Sequence, residues 1–210
     1  MSARGKRPFV IGLVGGIASG KSFVARTLSQ WGASVFDADV AGHQALKNES
    51  VKRAIRQRWG DEVFDEKQEV DRKSLAQFVF APGQQGKADL IFLEELTHPV
   101  ISQLMHQALE DSGKANSQVF VLDAPVMLKA GWNEECDDIL FVDAPREVRL
   151  RRASERGWSE SQFSARESAQ ELLDEKRRIA TVFIENSGNE DQTRQQLSEY
   201  WHDRFGVKPF

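Results

Sequence analysis

Residues 15–22 read GGIASGKS, preceded by the apolar run FVIGLVG and followed by helically spaced residues. The octet fits G-x-x-x-x-G-K-[ST], a loop that joins a strand to a helix and cradles phosphate. No other feature limits the fold so tightly. Gly15 and Gly20 allow the tight turn, so that backbone N–H groups through Gly16, Ile17, Ala18 and Ser19 can face phosphate oxygens. The start of the next helix adds a positive field. Lys21 reaches the β- and γ-phosphates as a point charge, and the Ser22 hydroxyl can ligate Mg²⁺. A chance match in a glycine-bearing turn is the bland alternative. The strand before the loop and the helix after it argue against chance, and the residues predict nucleotide binding.

Four further apolar runs resemble the first in composition: SVFDAD, VFVLDAP, ILFVDAP and TVFIEN. Each is continuous rather than alternating, the pattern of strands buried on both faces. Strands alternating with helical segments predict an α/β fold with a parallel sheet. The second and third runs stand too far apart for one crossover helix. Between them, SVKRAIRQRW, DRKSLAQFVF and LEELTHPVISQLMHQALE carry apolar residues at three- and four-residue steps. They predict a helical insertion, broken in the middle at PGQQGK. An arginine-rich helical segment follows the fourth run, and SEYWHDRFGVKPF reads as a helix and tail on the core. The expected organisation is a core of residues 8–40, 119–148 and 179–210, an insertion over 41–118, and a lid over 149–178.

In open α/β sheets the ligand lies beyond the carboxyl ends of the strands. Asp39, Asp123 and Asp143 are expected there, at the ends of the second, third and fourth strands. An aspartate also starts turns well, and that reading suits Asp143, which precedes Ala144 and Pro145. Asp123 follows VFVL as a Walker-B aspartate does, and can hold Mg²⁺ directly or through water. Asp37 and Asp39, two apart, share one face in extended geometry. Phosphoryl transfer needs a carboxylate to orient and deprotonate the attacking hydroxyl. The residues alone do not choose between the two.

In PREVRLRRASERGW, Arg149, Arg152 and Arg156 fall on one helical face. A solvated cationic face is the ordinary explanation. After the fourth strand of a phosphate-loop protein, such arginines can also close over a triphosphate. Gly157 reads as a hinge or helix stop. A net charge of −4 argues against wholesale binding of nucleic acid or acidic membranes. No stretch approaches the roughly 20 apolar residues of a membrane span. The single cysteine, Cys136, fits a reducing compartment and a cytoplasmic protein, either a monomer or a small homo-oligomer.

A guanine-reading N-K-x-D segment does not follow the strands, and motor or transporter ATPases are normally larger. A small-molecule kinase suits the size, the insertion and the arginine segment. The motifs GGIASGKS, FDAD, VDRKSLAQFVF, LEELTHPVI, VLDAPVML, RLRRASERG and FIENSG, in that order, resemble the dephospho-CoA kinase family over roughly residues 10–188. The resemblance implies an α/β fold, a five-stranded parallel P-loop kinase core with a helical substrate-binding insertion and an arginine-rich lid. It implies transfer of the ATP γ-phosphoryl group to the ribose 3′-hydroxyl of dephospho-CoA, with Mg²⁺.

Residue by residue, the resemblance implies Asp39 as the base, with Lys21 and Arg152 on the transferred group. Arg149 and Arg156 fall to ATP, and Asn186 lies near its adenine. Arg72, His98, Pro99 and Pro125 fall on the acceptor side, with Asp37 supporting or also acceptor-side. A helix-entry or packing role is the plainer reading of His98-Pro99. Closure of lid and insertion is expected to exclude water. Three positions depart from the family pattern: Lys129 replaces an acid, Ala180-Thr181 stands for Ala-Asp, and Phe23 stands where Thr is common. Another P-loop nucleotide or small-molecule kinase is the alternative function, and a silent ATP-binding interaction module is a third.

Overall fold

Seven consecutive residues with no charge, Phe9–Gly15, form β1, and all but the first are buried. The computed structural model describes residues 7–125, 127–169 and 173–207. Within them β1 joins β2 (Ser34–Asp37), β3 (Val119–Asp123), β4 (Asp138–Asp143) and β5 (Val182–Glu185) in one sheet. All pairings are parallel, in the order β2-β3-β1-β4-β5. The three inner strands are the continuous apolar runs, as burial on both faces requires. The edge strands β2 and β5 each bury one residue and leave the others wholly or partly exposed.

The helices are, in chain order, α1 (Lys21–Gln30), α2 (Ala38–Ala45), α3 (Glu49–Trp59), α4 (Arg72–Val79) and α5 (Gln84–Lys114). After them come α6 (Arg146–Glu155), α7 (Glu160–Ala169), α8 (Leu173–Ile179) and α9 (Glu190–Phe205). The chain forms two compact units, one of residues up to Asp37 and from Leu109, the other Ala38–Ala108.

In the first unit, α1 buries Val24, Ala25, Thr27 and Leu28, and α9 buries Thr193, Leu197 and Trp201, each at helical spacing. These faces pack with Ile11, Leu13, Val121 and Leu140 of the sheet. A capping box of Asn189 and Gln192 starts α9. The Gln196 side chain then covers the edge of β5. Its oxygen accepts from the Glu185 N–H at 2.9 Å, and its nitrogen donates to the Glu185 carbonyl at 2.9 Å. That pairing covers the carboxyl end of the edge strand.

The second unit has its own core of Val51, Ile55, Trp59, Val63, Leu75 and Val79. Asn48 and Asp71 cap α3 and α4 through their side chains. The buried Asp89 carboxylate meets Arg58 at 2.7 Å, and Arg58 lies 4.4 Å over the Phe92 ring. Burial opposes the Asp89 charge, but hydrogen bonds from Arg58 and Gln85 hold its pKa below the usual carboxylate value.

Several expectations are corrected. β2 stops at Asp37, so Asp39 is no strand residue and shares no extended face with Asp37. It lies in the first turn of α2. The cause is local: an aspartate just before a helix and another in its first turn are helix-starting residues. PGQQGK interrupts the insertion only at Pro82-Gly83, because α5 already begins at Gln84. Pro99 lies inside α5 and does not mark a helix entry. The arginine-rich segment is α6, α7 and α8, with Gly157 stopping α6 at φ 82°. The two compact units divide before Ala38, where α2 begins, and after Ala108, within α5. Parts of three expected features lie outside the described residues: position 126 of the VLDAPVML motif, positions 170–172 of the arginine-rich segment, and 208–210 of the tail.

Candidate active site

The loop between β1 and α1 is held by close contacts that only its own residue types permit. A Cβ at Gly15 would come within 2.7 Å of the Ser19 hydroxyl and the Val142 carbonyl. Gly20 has φ 103°, and a Cβ there would overlap the Asn186 side-chain nitrogen. Ala18 also takes the left-handed region, at φ 58°, packed with Ala153 and Phe163. Such a backbone persists where its surroundings fix it. The Phe23 and Val24 N–H groups return to the Gly20 carbonyl at 2.9 and 3.3 Å. Those of Lys21 and Ser22 open α1, where no intrahelical carbonyl reaches them. The Ser19 hydroxyl is buried and has no hydrogen-bond partner among the described residues. A cradle with an unmatched buried donor and a helix start fits an anionic oxygen.

The loop carbonyls are taken from behind. Arg149 donates through Nη1 to the Ile17 carbonyl at 3.4 Å and through Nε to the Ala144 carbonyl at 3.1 Å. Its Nη2 meets Glu167 at 2.6 Å, and Arg146 meets the other oxygen of Glu167 at 3.1 Å. Both guanidiniums flank the Phe163 ring. Burial opposes the Glu167 charge, yet the two arginines keep its pKa below the usual carboxylate value. Arg152 Nη1 donates to the Ser19 carbonyl at 3.0 Å, and Asn186 Nδ2 donates to the same oxygen at 2.7 Å. Burial, then Arg151 and Arg156, lower the Arg152 pKa from its ordinary value. Of the three arginines expected on one face, Arg149 is buried, Arg152 half-buried and Arg156 exposed where α6 ends.

At the strand exits Asp37 pairs in register with Asp123, and Asp123 with Leu13 of β1. The facing pair is thus Asp37 and Asp123, on adjacent strands. Asp143 closes β4 and meets Arg177 at 2.6 Å. Pro125 sits just past β3, and its carbonyl accepts from Nζ of Lys176 at 3.3 Å. Lys176, on α8, is only 1% exposed. The two side chains expected on a cation, the Ser22 hydroxyl and the Asp123 carboxylate, carry hard oxygens of the kind Mg²⁺ takes.

The second unit holds the remaining expected residues. Asp39 is exposed in the first turn of α2, and Arg72 is the exposed first residue of α4 behind the Asp71 cap. His98 is half-buried and Pro99 exposed on α5. A Cβ at Gly42 of α2 would lie 3.8 Å from Ile101 of α5, so these helices touch one turn beyond Asp39 and His98. Thr193, Glu167, Arg177 and Lys176 were absent from the sequence reading. All but the hydroxyl of Thr193 read as surface charge, and only their partners distinguish them.

A phosphate loop at the exit of the central strand, with aspartates closing the strands around it, defines a P-loop kinase core. The profile of one family, described as dephospho-CoA kinase, matches residues 9–192. A dephospho-CoA kinase of Geobacter metallireducens is 36% identical over 202 residues, covering 95% of this chain and 98% of the relative. A solved structure from Thermus thermophilus is 31% identical, covers 95% of this chain and 99% of its own, and superposes with a TM-score of 0.81. Dephospho-CoA kinase from Campylobacter jejuni shares the fold at a TM-score of 0.64, with 21% identity, 94% of this chain covered and 98% of its own. The chain belongs to the dephospho-CoA kinase family.

Proposed function

We propose that this chain transfers the γ-phosphoryl group of ATP to the ribose 3′-hydroxyl of dephospho-CoA, giving CoA and ADP. The observation that carries the reading is the braced phosphate loop, with Lys21 as the first residue of α1, in a chain matched to this family over residues 9–192. The 3′-oxygen bonds to the γ-phosphorus as the bond to the β,γ-bridging oxygen breaks. Asp39 takes the proton that leaves the hydroxyl. Lys21 and the helix start face the charge on the transferred group. Arg152, through its hold on the Ser19 carbonyl, and Arg156 are assigned to the nucleotide. Mg²⁺ held by Ser22 and Asp123 would neutralise phosphate charge. Asp37, Arg72, His98, Pro99 and Pro125 are assigned to the acceptor, and the cytoplasm is the proposed site of action.

The test is ADP release by purified protein offered dephospho-CoA, nucleosides and pantetheine compounds in turn. Turnover with dephospho-CoA alone is expected. Activity confined to another acceptor would overturn the substrate, and nucleotide binding without any turnover would favour the silent module. Asp39→Asn should lower kcat by about 10²–10⁴ while ATP affinity holds. Normal turnover in that variant would remove Asp39 from the mechanism.

A further inference from the structure

A loop that turns its N–H groups toward an anion must turn carbonyls the other way, and a buried carbonyl needs a donor. The Ser19 carbonyl has two, Arg152 and Asn186. Asn186 is itself 5% exposed and fixed at three points. Its backbone N–H donates to the Asp143 carbonyl at 2.7 Å, Nδ2 donates to Ser19, and Oδ1 accepts from the Thr193 hydroxyl at 2.9 Å. Thr193 is fully buried on α9. The Ser19 carbonyl fixes which end of the amide faces it, because a reversed amide would set two acceptors against each other, and the Thr193 hydroxyl holds the other end.

We propose that Asn186, oriented by Thr193, is a positioning residue that acts through the Ser19 carbonyl on polyphosphate binding, and does not read the adenine base. The inference rests on the ATP reading only for the class of ligand, and is independent of the acceptor. Gly20 belongs to the same device, since Asn186 occupies the space that any side chain at 20 would need. Thr193 has no exposed surface with which to touch a nucleotide, and its bond to Asn186 at 2.9 Å is shorter than its contacts with the Glu185 and Asn189 carbonyls at 3.4 and 3.5 Å, so its effect on binding is indirect and runs first through Asn186.

Calorimetric titration with tripolyphosphate, which has no base, tests this alongside ATP and GTP. Asn186→Ala and Thr193→Val should each weaken tripolyphosphate and ATP in parallel, by about tenfold for one lost hydrogen bond in a buried chain. Thr193→Ser, which keeps the hydroxyl, should bind like wild type, and the ATP-to-GTP preference should not move in any variant. Thermal melts identify a variant that fails to fold. Should Asn186→Ala do so, the Thr193 pair decides the matter. A wild-type tripolyphosphate affinity in Thr193→Val, or a relaxed ATP-to-GTP preference with tripolyphosphate unchanged in Asn186→Ala, would overturn the proposal. Wild-type protein that binds neither ATP nor tripolyphosphate would instead defeat the nucleotide reading itself.

Discussion

Asp138 and Asp143 begin and end the same strand, yet their surroundings differ in kind. Asp138 is 3% exposed, and four donor groups converge on it. Arg204 donates to both oxygens at 2.7 and 2.6 Å, Tyr200 adds a hydroxyl at 3.0 Å, and Thr181 another at 3.1 Å. Burial, then the Asp138 charge, push the Tyr200 phenol far above its ordinary pKa, so it remains a donor. Asp143, at the other end, is half-buried and pairs with Arg177 of α8. At the amino end of the sheet, charge meets charge and the network closes. At the carboxyl end, Arg149, Arg152 and Asn186 donate to main-chain carbonyls behind the loop, leaving its front to a ligand. One end uses polar groups to hold the fold, and the other uses them to shape a site.

Substitutions at the two ends should therefore separate activity from stability. Among substitutions at these two ends Lys21→Ala has the largest expected effect, a fall in kcat of about 10³, as for loss of one main electrostatic contact in a transition state. Its melting temperature should stay near wild type. Arg204→Leu should do the opposite, because it strands a buried carboxylate. Breaking a buried pair costs about 3–5 kcal/mol, and half-exposure of Arg204 reduces that to about 2–3 kcal/mol. Denaturant unfolding reads the loss, and kcat per folded molecule should be unchanged. Unfolding of Lys21→Ala, or an Arg204→Leu protein that melts normally but turns over poorly, would collapse the distinction.

Thr181 sharpens the comparison, since it departs from the aspartate expected of the family. Its hydroxyl donates to Asp138 and also accepts from the Ile139 N–H at 3.0 Å. A carboxylate at 181 could do only the second, and would face Asp138 with like charge. Thr181→Asp should cost about 1 kcal/mol at this exposed position, less in high salt. A stabilised Thr181→Asp protein would mean that Arg204 and Tyr200 can hold two carboxylates.

What the residues disclosed depended on how local the cause was. The phosphate loop and all five strands were legible because glycine spacing and continuous apolar runs are local signals. Asp39 was misplaced on a strand although D-A-D also carries the marks of a helix start; the apolar Val35-Phe36 pair outweighed them. The facing of Asp37 and Asp123 depends on β3 lying between β1 and β2, and chain order does not reveal strand order. Arg149 was legible as a helical-face arginine, but its engagement with Ile17 and Glu167 spans elements distant in sequence. Thr193 carried no signal at all, since a buried hydroxyl on a helix matters only through its neighbour.

Glu167 gives the smallest effect and the finest test of the carboxyl end. It is the carboxylate that holds Arg149 and Arg146, and those arginines keep its pKa depressed against the opposing effect of burial. The folded protein thus binds fewer protons there than the unfolded chain, whose glutamate titrates near about 4.3. Stability from this group is present above that value and lost as pH falls through the lower folded pKa. Glu167→Gln removes it at neutral pH, by about 1 kcal/mol for a partly exposed pair, but has little left to remove in acid. Urea unfolding of both proteins from pH 7 to pH 3 should show the gap between them closing below about pH 4. A gap that persists undiminished to pH 3 would mean that shape and hydrogen bonding hold Arg149 beneath the loop, with no contribution from the carboxylate charge.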